Sequence, residues 1–479
     1  MSEHSRSRLI RFFSCNRDRF AYRGAVVSSR PGPAPEARFF ATAAKGTERL
    51  LESELRELGL PEVRAARGGV HFGVRPSDAY RACLWSRIAL RIHEPLASFP
   101  CRDGDDLYAG VQSVDWSGYL DGERTLAIRA TGHNDRLTHT HFIALRAKDA
   151  IVDQLRARRG SRPSVDRDDP DLLLFVRVHG ASASVSVDYS GASLHARGNR
   201  AEEGAAPLRE TLAAAVVRFS GWDGSSPLVD PMCGSGMLLL EAGLWAARRA
   251  PGLARPRFGF ERWSSFDDPG RHEVARLRAE AQAGERRPPP LFGSDADPRA
   301  LEQCRANAAR AGLALTLEQR PIAQVSPRDA SGGLLANPPY GERLARGESL
   351  PEDLDALLER FGSHQRGLIV ARGFPSRLRA SRVLDVYNGP IECELRRHDA
   401  PGLPSRAPAP HAGAARHAPR AAPPALASPR SSAPPRAPAG RDGGRAPAGR
   451  DGTPASDAAP GARRLSFRSK KDPGTPERG

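Results

Sequence analysis

Hydrophobic positions along this chain change period near residue 200, and the change divides it into two regions of different architecture. Between Phe39 and about Arg200 helical and strand patterns are mixed. Thr47 to Leu58 sets Leu50, Leu51, Leu55 and Leu58 on one side of a helix, and Gly69-Val70-His71-Phe72 then alternates as a strand. A helix over Lys148 to Leu155 and strands over Leu172 to Val178 and Ser182 to Asp188 follow. That is the element order of a small α+β module. His133, Asp135, His139 and His141 fall close together within it and read as a polar loop rather than a metal site.

Residues 207 to 398 alternate strand with helix. Leu228-Val229 is a short apolar strand, followed by a helix over Met237 to Arg249 and an aromatic-bearing insertion reaching Pro290. The second strand is Leu291 to Asp295, its helix Pro298 to Ala311, and the third strand Ala314 to Leu317. Leu334-Leu335-Ala336 makes a fourth strand, Glu352 to Phe361 a helix, and Leu368-Ile369-Val370 a fifth strand. Arg382 to Val386 and Ile391 to Leu395, joined at Asn388-Gly389-Pro390, suit an antiparallel edge. The pattern predicts an α/β fold with a doubly wound sheet.

From Pro401 onward the chain is Pro, Ala, Gly, Arg and Ser, without Trp or Tyr, and the octapeptide Arg-Ala-Pro-Ala-Gly-Arg-Asp-Gly occurs at 436 and again at 445. Such a segment buries too little apolar area to offset its ordering entropy, so a disordered tail is expected. It holds 14 basic and 5 acidic residues, more than half of the formal +16 carried by all 479 residues. A chain this basic, with a pI near 10.4 and no run of some twenty apolar residues, suits an anionic polymer and excludes a membrane span. The six cysteines are scattered without a C-x-x-C pair, which signals neither zinc nor a disulfide framework and fits a reducing cytoplasm. The Arg-rich start lacks the apolar core of a secretory signal and reads as a disordered extension or a misassigned start.

Candidate chemistry gathers at two places. Asp230-Pro231-Met232-Cys233-Gly234-Ser235-Gly236 follows the first strand as a glycine turn, where the missing side chains let a nucleotide-like cofactor approach the backbone. The dinucleotide spacing G-x-G-x-x-G fails because Leu239 occupies its third glycine position, while Asp295 ends the second strand, where a carboxylate accepts ribose hydroxyls. Together these favour S-adenosylmethionine over a nicotinamide or flavin, held by Asp230, Pro231, Cys233, Gly234, Gly236 and Asp295. Asp297 is placed to cap the helix that begins at Pro298. Cys233 has no evident base or cation nearby and reads as a small buried turn residue.

The second place is Asn337-Pro338-Pro339-Tyr340, a polar hook after the fourth strand. An exocyclic amine is a poor nucleophile because its lone pair is delocalised, so its hydrogens must be held and its nitrogen aimed at the methyl donor. The Asn337 amide oxygen and the Pro338 carbonyl can accept those hydrogens, the prolines stiffen the loop, and Tyr340 offers a stacking face. These three are the expected catalytic residues. Pro339, with His195, Arg197 and Arg200, is expected to meet the substrate, and Arg209 lies nearby. The residues point to methyl transfer onto a nucleobase that has left its stack.

The chain resembles the bacterial large-subunit ribosomal RNA guanine-N2 methyltransferases that carry a THUMP domain, in particular the amino-terminal half of their bifunctional form. The resemblance runs from about Phe39 to Leu395. It rests on Gly68 to Phe72, Leu84-Trp85-Ser86-Arg87, Lys148 to Asp153, Val165 to Asp168, Leu194-His195-Ala196-Arg197-Gly198, Glu210 to Ala215, both site motifs with Gly341-Glu342-Arg343-Leu344, and Asn388-Gly389-Pro390. It implies a disordered extension (1–38), a ferredoxin-like subdomain (39–95), a THUMP RNA-binding domain (96–200), a Rossmann-like class I methyltransferase domain (201–398) and the basic tail (399–479). It implies S-adenosyl-L-methionine as cofactor and 23S ribosomal RNA or a large-subunit precursor as partner, with neither metal nor membrane. Bifunctional members continue into a second methyltransferase, which the low-complexity end replaces here, so that activity is expected to be absent. Pro321 stands where the family tends to place an acidic adenine contact, which Glu318 would have to supply, Met237 replaces the usual Thr, and Asn199 a usual Tyr. Transfer RNA guanine, DNA adenine N6 and a glutamine side chain are alternative acceptors, the RNA module arguing against the last two. A noncatalytic RNA-binding assembly factor is the alternative from another class.

Overall fold

A computed structural model describes residues 37–160, 162–198, 208–339 and 350–401. The basic tail beyond 401, nearly all of the amino-terminal extension, Arg200 and Tyr340 lie outside the described residues. The first region runs β1 (Phe39–Thr42), α1 (Glu48–Glu57), β2 (Arg64–Ala66), β3 (Gly69–Phe72), α2 (Pro76–Trp85), β4 (Arg91–Pro100), α3 (Gly104–Gln112), β5 (Thr125–His133), α4 (Thr140–Arg159), β6 (Ser164–Val165), β7 (Leu172–His179) and β8 (Ser182–Asp188). Its strands form one eight-stranded sheet in the order β2-β3-β1-β4-β8-β7-β5-β6. β4 pairs with β1 over Arg91 to His93 and with β8 from His93 to Pro100, with a bulge between Pro95 and Ala97. The expected subdomain boundary at 95/96 therefore falls inside a strand, at the kink that a proline imposes on the ladder.

The second region runs α5 (Glu210–Ser220), β9 (Leu228–Asp230), α6 (Met237–Ala246), α7 (Asp268–Ala283), β10 (Leu291–Asp295), α8 (Pro298–Arg310), β11 (Thr316–Gln319), β12 (Gly333–Ala336), α9 (Leu350–Arg360), β13 (Gln365–Ala371), β14 (Arg382–Asn388) and β15 (Ile391–His398). Its seven strands lie in the order β11-β10-β9-β12-β13-β15-β14. The first five are parallel, β15 runs antiparallel to β13, and β14 closes the edge antiparallel to β15. This is the Rossmann-like class I arrangement. β9 sits between β10 and β12, so the winding reverses direction there.

Several elements differ from expectation for identifiable reasons. α4 extends a further two turns toward its amino terminus, where Phe142 and Leu145 are exposed and blur the apolar stripe. The third strand is shifted to Thr316–Gln319, because Leu313 is spent in the core at the end of the preceding turn and pairing with β10 starts only at Thr316. The insertion holds a sixteen-residue helix, α7, whose Asp267 carboxylate accepts from the Gly270 N–H and whose Val274, Leu277 and Ala281 are buried. Its aromatic part is a clamp. Phe260 stacks on Tyr80 of α2 with ring centroids 4.2 Å apart, and Trp263 meets Tyr189 edge-on at 4.7 Å.

A buried ionic cluster ties the two regions together. Glu241, on α6, is an acid in an otherwise apolar helix, 1% exposed. Arg197 donates to it, and Arg87 Nη1 lies 3.7 Å from the same carboxylate. Arg87 Nη2 donates to the Leu244 carbonyl at 3.0 Å, while Arg197 donates to the carbonyl of Arg87. Glu54 of α1 completes the cluster, accepting from the Ser86 hydroxyl at 2.6 Å and the Arg87 N–H at 2.9 Å. Burial pulls the Arg87 guanidinium down to about 10, with Glu241 opposing the shift, so it stays charged at neutral pH. Two cations thus face two anions inside the protein. Removing one partner of such a set leaves a bare charge in low dielectric, which costs about 3–5 kcal/mol. Glu241→Ala is expected to lose that much stability, read as a lowered urea midpoint for the whole described fold.

Candidate active site

The glycine turn leaves the end of β9 and is braced from both sides. The Cys233 N–H donates to the Ser294 carbonyl at 2.9 Å, the Asn307 amide of α8 donates to the Ser235 carbonyl at 3.0 Å, and the Gly236 N–H closes the turn on the Cys233 carbonyl at 2.7 Å. Asp295, at the end of β10, accepts from the Gly234 N–H at 2.8 Å through one oxygen and from the Asp297 N–H at 3.0 Å through the other. A carboxylate has about four acceptor positions, so two remain for hydroxyl donors. Asp297 caps α8 by accepting from the Arg299 N–H, with Pro298 at the first helical position.

The two glycines serve different ends. Gly234 has φ +52°, and a Cβ added there would meet nothing within 4 Å, so its face looks onto open space that a cofactor can occupy. Gly236 has φ +84°, and a Cβ there would come within 2.5 Å of Cys304 Sγ. At Gly236 the packing of α8 against the head of α6 therefore adds a second demand for glycine, beside the room expected for the cofactor. Pro231 is buried behind the turn. Cys233 is also buried, and its hydrogen bond with Cys304, then burial, push its thiol far above the ordinary range, which leaves it neutral.

Asn337 follows β12 directly, and β12 is the parallel neighbour of β9 with Leu334 opposite Val229. The hook and the glycine turn therefore leave adjacent strands at the carboxyl edge, where the winding reverses. Asn337 Oδ1 is buried and has no hydrogen-bond partner among the described residues. An orphaned acceptor of this kind costs about 1–3 kcal/mol unless something donates to it. Pro338 is buried and Pro339 half-buried beside it.

The residues expected at the RNA entrance separate. His195 is half-buried, with its Nδ1 2.7 Å from the Ser193 hydroxyl. Arg197 is corrected: it is 3% exposed and committed to Glu241 and the Arg87 carbonyl, so it holds the linker to α6 instead of meeting phosphates. Arg209 is exposed at the head of α5. Pro321 opens a short 3-10 turn on the surface, and the Glu318 carboxylate is tied to Arg320 and Arg328. Sequence reasoning missed Glu54, Arg87 and Glu241; the signal available was a lone glutamate inside Met237 to Ala246. Among the described residues no group of His, Cys, Asp and Glu is placed to hold a metal, and no helix is long and apolar enough to cross a membrane.

Asp230 ends β9 fully buried, and burial pushes its carboxyl up to about 8, opposed by the bond from the Met232 N–H and reinforced by Asp295. A folded pKa above the unfolded one adds stability that is complete below about pH 4 and is lost as pH rises through about 8. Asp230→Asn keeps an acceptor for Met232 and cannot ionise. Its melting temperature relative to the parent should rise between pH 5 and pH 8.5, by on the order of 5 °C in paired thermal melts.

Three family models match the chain in order: the RlmL ferredoxin-like domain over residues 38–93, the THUMP domain over 101–188, and the RMKL-like methyltransferase domain over 197–375. Among solved structures, SMU.472, a methyltransferase candidate complexed with S-adenosylhomocysteine (SAH), is 28% identical with a TM-score of 0.68, over 76% of this chain and 98% of its own. A protein from Listeria monocytogenes described as an N6-adenine-specific DNA methylase is 27% identical with a TM-score of 0.67, over 76% of this chain and 96% of its own. TrmN from Thermus thermophilus, 20% identical with a TM-score of 0.51 over 75% of this chain and 98% of its own, shares the fold. The three matched domains in this order, with the shared sheet of the first region and the reversed winding at β9, match the organisation of a THUMP-containing rRNA methyltransferase of the RlmL type and make the chain a THUMP-containing methyltransferase.

Proposed function

We propose that this protein transfers a methyl group from S-adenosyl-L-methionine to the exocyclic N2 of a guanine in 23S ribosomal RNA, acting on the RNA or on a large-subunit precursor in the cytoplasm. The observation that carries the proposal is the buried, unpartnered Oδ1 of Asn337, one strand away from a glycine turn whose Gly234 faces open space. An acceptor left dry at that edge suits a ligand that brings N–H donors. S-adenosylmethionine supplies an electrophilic methyl on sulfur, so no covalent enzyme intermediate is needed.

The chain's own residues supply position. Asp295, already oriented by Gly234 and Asp297, offers its two remaining acceptor sites to ribose hydroxyls, and the turn from Pro231 to Gly236 forms the floor. Asn337 Oδ1 accepts one hydrogen of the target amine and the Pro338 carbonyl the other, which points the nitrogen lone pair toward the donor. The consecutive prolines hold that pair of acceptors in one geometry. The amine's surplus proton leaves to solvent with or after the displacement. The THUMP domain makes RNA the favoured polymer over the DNA named for the Listeria protein.

Asn337→Ala should leave the affinity for SAH, measured by calorimetry, within about threefold and reduce turnover by at least about two orders of magnitude, the scale seen when one oriented polar group is removed from a reacting centre. Asp295→Ala should chiefly weaken SAH binding. Full turnover in the Asn337 variant rejects the assigned role. Mass mapping of 23S RNA from cells with and without the gene tests the acceptor: one guanine methyl should disappear.

A further inference from the structure

The loop after β13, residues 372–381, leaves the sheet at the same edge as the hook. β13 is the parallel neighbour of β12, with Leu368 opposite Ala336. From Phe374 the loop alternates strictly. Phe374 is buried, Ser376 and Leu378 are half-buried, and Pro375, Arg377 and Arg379 are exposed. Phe374 and Leu378 pack into the apolar cluster of Leu354, Leu357 and Val370, and Met232 of the glycine turn packs on that same cluster. The strap is therefore seated beside the methyl-transfer edge by its inward side chains.

A buried carboxylate locks it. Asp355 of α9 is 2% exposed and accepts from the Ser376 hydroxyl at 2.6 Å and the Arg377 N–H at 2.7 Å. Burying a carboxylate is costly unless its bonds are well made, and here both oxygens are spent on shaping one surface loop. What that shaping displays is positive charge. The Arg377 side chain is 75% exposed, touching Asp355 only through Nε at 3.5 Å, so its terminal nitrogens are free to bind outward. Arg379 is exposed and makes no ion pair or hydrogen bond with any described residue. The loop bends at Arg377 and Leu378, where Ser376 Oγ meets both the N–H and the carbonyl of Leu378, and it leaves the two arginines exposed two residues apart, where they can meet the backbone of a single strand. Arginine presents a planar fork that grips phosphate at two points.

We propose that Arg377 and Arg379 form a phosphate clamp that holds the RNA strand flanking the target nucleotide, with Asp355 as the residue that positions it. The clamp rests on the RNA reading given above. It accounts for how an unstacked base can be kept at the sheet edge without sequence-reading contacts there, since backbone contacts set register and orientation.

The test uses the full chain and in vitro transcribed, unmethylated 23S RNA. RNA affinity of the parent and of the Arg377→Gln/Arg379→Gln variant is measured by filter binding between about 50 and 300 mM KCl, since each phosphate contact to a single strand contributes about 0.7 to the log–log salt slope. The variant is expected to lose about 1.4 from that slope and to bind about tenfold more weakly at about 0.1 M salt. KM for RNA should rise by a larger factor than kcat falls, SAH binding and the melting temperature should not move, and the Arg377→Lys/Arg379→Lys pair should restore most of the slope. An unchanged slope and KM in a variant whose parent binds and methylates RNA overturns the clamp and leaves the RNA reading standing. A parent that neither binds nor methylates RNA overturns both. Modification of the parent by phenylglyoxal probes the same contacts without any substitution: RNA should protect Arg377 and Arg379, and equal labelling with and without RNA rejects the clamp.

Discussion

The site exists because of where the winding of one sheet reverses. β9 is the first strand laid down in the methyltransferase domain, and later strands are added to both of its sides. Its carboxyl end therefore lies between connections that run away from each other, the place where open α/β sheets form a crevice for ligands. The glycine turn and the Asn-Pro-Pro hook leave β9 and β12 into that crevice side by side, although about a hundred residues separate them. Every later feature is an adjustment to it. Asp295 shapes one wall through the Gly234 N–H, α8 presses on the floor at Gly236, and Asn337 keeps a dry acceptor on the other wall.

The second dependence is electrostatic. α6 begins at the glycine turn and ends near the carbonyls that Arg87 holds, so the helix that follows the glycine turn is also the one that grips the amino-terminal region. Glu241 is the single acid along it. Replacing such a cluster by apolar side chains would often cost nothing in stability. Its retention makes most sense as a fixing of orientation, since charges paired in a dry interior tolerate only one arrangement, whereas apolar surfaces slide.

Much of this was legible in the residues. The alternation of Gly69 to Phe72, the runs at Leu172 and Ser182, the strand ending in Asp295 and the Asp297-Pro298 cap all lie where local pattern places them, because there the local preference and the tertiary environment agree. β4 escaped because two prolines and a bulge break its alternation, and it is held by neighbours on both sides instead of by its own propensity. α7 escaped although its signal was present: an Asp cap, an early proline and apolar residues at helical spacing, hidden within a stretch dominated by charge and aromatic residues. Arg197 misled for a different reason. Its neighbours His195 and Arg209 are accessible, and nothing in a linear string distinguishes a guanidinium aimed at solvent from one aimed at a glutamate forty-four residues later. At Gly236 the packing demand could not be read from the string, since a missing side chain looks the same whether a ligand or a sulfur atom claims the room.

The continuity of β4 carries one more consequence. Because a single strand passes from the ferredoxin-like half into the THUMP half, carrying the β1 ladder up to His93 and the β8 ladder from His93 onward, the two halves are joined by continuous backbone rather than by a flexible linker. With that sheet fastened to α6 through Arg87 and Arg197, the reach from its far end to the carboxyl end of β9 is set by hydrogen-bonded backbone and paired charges.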